Sequence, residues 1–168
     1  DDDSDEEDGD EEDDTASEGG PDPELARVRF EQIREQNEQT KAAIEAHGLS
    51  SPQARSEQAR LAELFSPIKL VPRHFERLVG QLRLSVGQIR EQEKTIMQLC
   101  VKRGKVPRKA FITSFPGRES DTTWIDDFMA RNSKHASNIE PLRSDIERAQ
   151  RKIAFEEELA LLPVSELK

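Results

Sequence analysis

Residues 72–104, PRHFERLVGQLRLSVGQIREQEKTIMQLCVKRG, decide the fold. Phe75, Leu78, Leu82, Ile89, Ile96 and Leu99 recur there on a three- and four-residue period, and Val79, Val86 and Cys100 widen the row into a stripe. That period belongs to a helix that buries one face against other helices. Pro72 suits a first helical position, because its missing N–H has no partner there and its φ is already helical. Gly104, with Pro107 soon after, marks the stop. At ~1.5 Å per residue the rod is roughly 45 Å long, which demands partners along its length. Gly80 and Gly87 each weaken it by about 1 kcal/mol relative to Ala, so packing must supply the difference.

The other face of the rod is basic. Eleven Lys/Arg lie between Lys69 and Lys109 against Glu76, Glu91 and Glu93, a local balance of +8. A charge run on a helix is often only a solvated face. The alternative is a surface for a polyanion or an acidic partner, and its candidate residues are Arg73, Arg77, Arg83, Arg90, Lys94, Lys102, Arg103, Lys105, Arg108 and Lys109.

Outward from the rod, charge divides the chain. The net charge of −10 hides fifteen acids and no base in residues 1–24, leaving a balance of +5 in residues 25–168. Twelve of the first fourteen residues are carboxylates. Such a block repels itself and has no apolar surface to bury, so residues 1–21 are expected to be a disordered polyacidic tail and linker. The tail reads either as a solubilising spacer or as a nucleic-acid mimic that screens the basic rod.

Asp22 then caps a first helix, with Pro23 and Glu24 in its first turn. Its expected buried row is Ala26, Phe30, Ile33, Thr40 and Ile44, and Gly48 ends it. Ser51–Pro52 restarts a second helix carrying Leu61, Leu64 and Phe65, which stops near Ser66–Pro67. Beyond the rod, Pro107 opens a short helix closed by the Pro116–Gly117 turn. Asp121 or Thr122 caps a helix with Trp124, Ile125, Phe128 and Met129, in which Trp124 reads as a core anchor rather than a base-stacking platform. Asn132 to Asn138 reads as a break. A last long helix carries Ile139, Leu142, Ile146, Ala149, Ile153 and Ala160; Pro163 ends it and Ser165 caps a further helix.

The expected fold is therefore all-α, an irregular helical bundle built on two long helices behind a disordered acidic N-terminal tail. Charged residues make up 36% and apolar residues 33%, which suits lean helical packing, and no segment alternates with period two as strands do. The expected division is a tail over 1–21, a helical domain over 22–163, and the start of a further region over 164–168. The single Cys100 forbids an internal disulfide and reads as a small core residue in a reducing compartment. His47, His74 and His135 are scattered, with no second ligand at metal spacing. No apolar run is long enough for a membrane span or a signal sequence, so the chain is expected to be soluble and cytoplasmic. A start at Asp1 and a stop in mid-pattern at Lys168 read as a piece of a longer protein.

No glycine-rich phosphate cradle, Walker lysine, paired Cys/His ligands or nucleophile elbow occurs. The carboxylates lie in the acidic tract or singly on helix faces, where nothing shifts a pKa into working range. The chain is expected to be no enzyme and to take no cofactor, metal or small-molecule substrate. Helix-turn-helix, zinc and aromatic RNA-binding motifs are missing too. What remains is a helical interaction domain.

Several separated blocks carry a family resemblance. They are Asp22-Pro23-Glu24-Leu25-Ala26, Leu70-Val71-Pro72 with Phe75, Leu78 and Val79, and Arg90, Gln92-Glu93, Ile96-Met97 and Leu99-Cys100. Phe111-Ile112-Thr113, Phe115, Gly117, Thr123-Trp124 and Glu156-Glu157-Glu158 extend the run. In this order the chain resembles the non-conserved (non-essential) region of primary, housekeeping sigma factors of bacterial RNA polymerase. The resemblance implies an all-helical insertion between conserved regions one and two. Its partners would be core RNA polymerase through the largest subunits, and promoter DNA through the parent sigma factor. The implied role is to tune polymerase docking, transcription initiation and promoter escape, while the motifs that recognise promoters fall outside residues 1–168. The competing reading is an acidic-tailed helical adaptor or chaperone for basic proteins.

Overall fold

The computed structural model describes residues 22–168, all helix and connecting turn with no strand among them. The expected disorder of the acidic stretch 1–21 lies outside the described residues.

Helix α1 (Pro23–His47) starts where the sequence predicts, with the Glu24 N–H donating to the Asp22 carboxylate at 3.0 Å. Gly48, at φ +86°, turns the chain, and the Ser51 hydroxyl accepts from the Ala54 N–H at 3.1 Å to open α2 (Pro52–Phe65). The two pack as a hairpin whose seam is polar. The Gln36 side-chain amide donates to the Glu57 carboxylate at 2.7 Å, and the Thr40 hydroxyl lies 2.8 Å from the Gln36 carbonyl and 3.2 Å from that of Glu57. Gln36, Thr40 and Ala54 are the buried residues of this pair. The expected apolar row is corrected accordingly: Phe30 is 62% exposed, and of that row Thr40 alone is buried. The cause is length. Fourteen residues of α2 reach roughly 21 Å along the ~37 Å of α1, so the first two turns of α1 extend past their partner.

Helix α3 (Pro72–Met97) continues as a π-helical turn, Gln98–Arg103, to Gly104. The Gly104 N–H donates to the Leu99 carbonyl at 2.8 Å, the five-residue step of that widened turn. A Cβ at Gly104 would stand 2.7 Å from the Cys100 carbonyl oxygen and 3.2 Å from Ile139 Cγ1, so the close approach requires glycine. Lys105, at φ +58°, reverses the chain into α4 (Arg108–Ser114).

The core forms along the C-terminal half of α3. Ile89, Ile96 and Cys100 are fully buried with Ile146 and Ile153 of α7 (Arg143–Ala160). An aromatic cluster closes one side of it: Phe111 and Phe115 of α4 and its end, with Trp124 and Phe128 of α5 (Trp124–Arg131). Trp124 stacks on Phe128 at 4.5 Å and meets Phe115 edge-on at 4.9 Å, and its indole N–H donates to the Ser114 carbonyl at 2.9 Å. Trp124 is thus the core anchor expected of it.

The N-terminal half of α3 corrects the expectation of a stripe buried throughout. Residues 71–78 are exposed on every face, Phe75 at 59% and Leu82, further along, at 47%. The eighteen residues of α7 reach about 27 Å, against ~39 Å for α3, and their cover begins near Val86. Two boundaries also differ. Asn132–Asn138 is not a break but a 3₁₀ turn, Ser133–His135, followed by α6 (Ala136–Ile139). After Leu161 takes a left-handed conformation, Pro163 rather than Ser165 precedes α8 (Val164–Leu167). No helix among the described residues is long and apolar enough to cross a membrane.

Substitution at two glycines separates crowding from propensity. Gly104→Ala is expected to cost roughly 1–3 kcal/mol through the contact with the Cys100 carbonyl. Gly87→Ala, where a Cβ meets nothing within 4 Å, is expected to raise stability by about 0.5–1 kcal/mol. Thermal melts followed by circular dichroism should move in opposite directions.

Candidate functional site

All ten cations singled out in the sequence are exposed. None takes part in an ion pair among the described residues. They form two groups. Arg73, Arg77, Arg83, Arg90 and Lys94 lie on the shaft of α3, on the half of the helix turned away from Ile89 at ~100° per residue. Lys102, Arg103, Lys105, Arg108 and Lys109 lie at the bend, from the π-helical turn into α4. The single basic face of the sequence reading is therefore a shaft and a bend.

At the bend the fold adds cations that the sequence reading missed. Lys109 and Arg131 line one groove of about 460 Å³ together with Thr113 and Asn132. Lys134 stands on the next turn, which leads into α6, and α6 reaches Gly104 through Ile139. The one available signal was the run from Phe128 to Ile139, which carries bases but no acid.

Elsewhere the charges are engaged inside the domain. Arg118 bridges Asp127 at 2.6 Å and Asp121 at 2.8 Å, and these carboxylates raise its pKa, Asp127 foremost. Arg143 is tied to Asp126 at 2.7 Å and Glu140 at 3.2 Å, with its pKa raised in the same way. Gln150, fully buried on α7, donates to the Asp121 carbonyl at 2.7 Å and so fixes the loop between α4 and α5. Lys168 pairs with Glu93 and lies 3.3 Å from Glu119. Burial pulls its pKa down, and the two glutamates raise it by more. The α1–α2 hairpin is held to the α7–α8 elbow by Arg55 with Glu166 at 3.2 Å and by Gln58 donating to the Leu161 carbonyl.

Apolar surface concentrates on the shaft. Val71, Phe75, Leu78 and Leu82 follow one another on one face of α3 and are all exposed. A second apolar groove of about 600 Å³ runs between Phe30 and Ile33 of α1, Leu61 and Phe65 of α2, and Leu162. Among the described residues no cluster of His, Cys, Asp and Glu is placed to hold a metal ion. Burial pushes the Cys100 thiol up to about 12, which keeps it protonated and unreactive at neutral pH.

Two outcomes follow from these groups. Burial pushes the Asp121 carboxyl up, but the Thr123 hydroxyl and N–H and the Arg118 guanidinium hold it below the usual carboxylate range. The fold thus favours its ionised form. The stability it contributes is present above an ordinary carboxylate pKa near 4 and is lost as pH falls through the lowered value. Melts between about pH 2 and 5 should therefore show a smaller acid-induced drop for Asp121→Asn than for the wild-type chain. Cys100 should resist thiol reagents in the native chain at about pH 8 and react fully once denaturant is added.

The family profile described as "Sigma-70, non-essential region" matches residues 1–156. The chain is also similar to the RNA polymerase sigma factor RpoD of Neisseria gonorrhoeae, at 24% identity over 139 residues. That alignment covers 83% of this chain and 22% of that protein, so the chain spans about a fifth of the length of the relative.

Proposed function

The chain belongs to the sigma-70 non-essential region family, and from that premise we propose that it is a non-catalytic docking region of a primary sigma factor. Its partner is core RNA polymerase, through one of the largest subunits, and its influence falls on promoter-dependent initiation and escape in the cytoplasm. Residues 22–163 form the working domain, and residues 164–168 open the next region of the parent.

The observation that carries this reading is the unpartnered shaft of α3. A stretch of helix this short is marginal in water without tertiary contacts. Yet Val71, Phe75, Leu78 and Leu82 stand exposed on one face of it. At about 25 cal/mol per Å² of apolar surface removed from water, such a face favours a partner that covers it. Arg73 and Arg77 on the far side of the same turns leave the contact side apolar and the rim cationic.

Capture by immobilised core polymerase tests the proposal. The 168-residue chain is expected to be retained, and Phe75→Glu with Leu78→Glu to lower retention tenfold or more. Both side chains are exposed, so the variant should keep its helical spectrum. Loss of the wild-type chain, with its parent still captured, would make the domain a passenger. The strongly acidic residues 1–24 favour the adaptor reading instead. On that reading, deleting residues 1–20 abolishes binding to basic proteins and leaves polymerase out.

A further inference from the structure

We propose that the bend between α3 and α5 is a binding site for the phosphate backbone of duplex DNA, separate from the apolar shaft and independent of polymerase docking. Lys102, Arg103, Lys105, Arg108 and Lys109 fall within eight residues of chain, and folding sets Arg131 beside Lys109 and Lys134 on the adjoining turn. All seven are exposed, and none is in an ion pair among the described residues.

Compensating charge is missing there for a structural reason. The chain has no acid between Glu93 and Glu119, and none between Asp127 and Glu140. The acids that border those gaps are turned inward: Glu93 and Glu119 to Lys168, Asp127 to Arg118, and Asp126 and Glu140 to Arg143. The result is an end of the bundle with seven uncompensated positive charges on a chain whose total is −10. A surface of one sign in this density draws a polyanion in and releases its counterions.

Two observations select the ligand. Single strands are held by bases stacked on exposed aromatic rings. Here Phe111, Phe115, Trp124 and Phe128 are buried, and the Trp124 N–H is engaged by the Ser114 carbonyl. A protein partner needs an apolar centre that loses its water. Among the described residues from Gln98 to His135, the one large apolar side chain left exposed is Ile112. Cations without stacking rings and without an apolar anchor fit a regular array of phosphates, read without regard to base sequence.

The test is fluorescence anisotropy of the 168-residue chain with a labelled DNA duplex of ~20 base pairs across about 25–200 mM salt. Each neutralised phosphate contributes roughly −0.9 to the slope of log K against log salt, so four to six contacts give about −4 to −5. Arg131→Glu with Lys134→Glu is expected to weaken binding tenfold or more at about 50 mM salt and to shallow the slope by roughly 2. Arg73→Glu with Arg77→Glu, on the shaft, should leave it unchanged. Four outcomes would overturn the proposal: no duplex binding at the lowest salt, equal losses from both variants, a single strand bound more tightly than the duplex, or bend variants that keep duplex binding and lose polymerase capture. The last would make the bend a protein contact.

Discussion

The packing of α3 against α7, from Val86 to Cys100, is the contact on which the rest of the structure depends. It buries Ile89 and Ile96 completely, and Cys100 after them sits against the turn that carries Ile139. α7 in turn holds Gln150, which pins the loop leading into α5, and with that loop the position of Trp124. The aromatic cluster would close nothing without that support. Because α7 is eight residues shorter than α3, the same contact that makes the core also leaves the shaft bare. Bundle stability and an open apolar face thus have one cause.

Electrostatics divides the surface along similar lines. Exposed ion pairs contribute little to stability, typically 0–1 kcal/mol each. Their value here is positional: Arg118 and Arg143 draw in the acids of α5 and the turn before α7, and Lys168 draws in Glu93 and Glu119. Every acid near the bend is thereby aimed at an internal partner. The cations of the bend have no such role in the fold, so substituting them tests binding with little disturbance to packing.

Much of this was legible in the chain itself. Pro72, Gly104 and the spacing between them delimit the rod, Asp22 and Ser51 cap their helices, and Trp124 declares itself by its neighbours. Periodicity identifies which face of a helix is apolar but not what covers it, and so Phe30, Phe75 and Leu82 were expected in the core and stand outside it. Coverage depends on the relative lengths of partners that meet only after folding. Lys134 was hidden for another reason. A 3₁₀ turn of three residues has no repeat to detect, so Asn132–Asn138 reads as a break, and contact between Arg131 and Lys109 is a fact of topology alone.

The apolar shaft and the basic bend lie at opposite ends of one helix. From Phe75 to Lys102 the chain climbs roughly 40 Å at the rise of an α-helix, longer than a Debye length at any ordinary salt. Each surface therefore acts without feeling the charge of a ligand on the other. They are nonetheless mechanically joined, because the rod is buried and continuous from Ile89 to Leu99. The π-helical turn and the tight approach at Gly104 then set the direction in which α4 leaves. A partner seated on Phe75 and Leu78 thus fixes where Lys105, Arg108 and Lys109 point. The fold suits a spacer that holds a phosphate-binding surface at a set distance and angle from a protein anchor. Rigidity between the two ends, rather than any single side chain, is what such a spacer needs, and it resides in the one contact between α3 and α7.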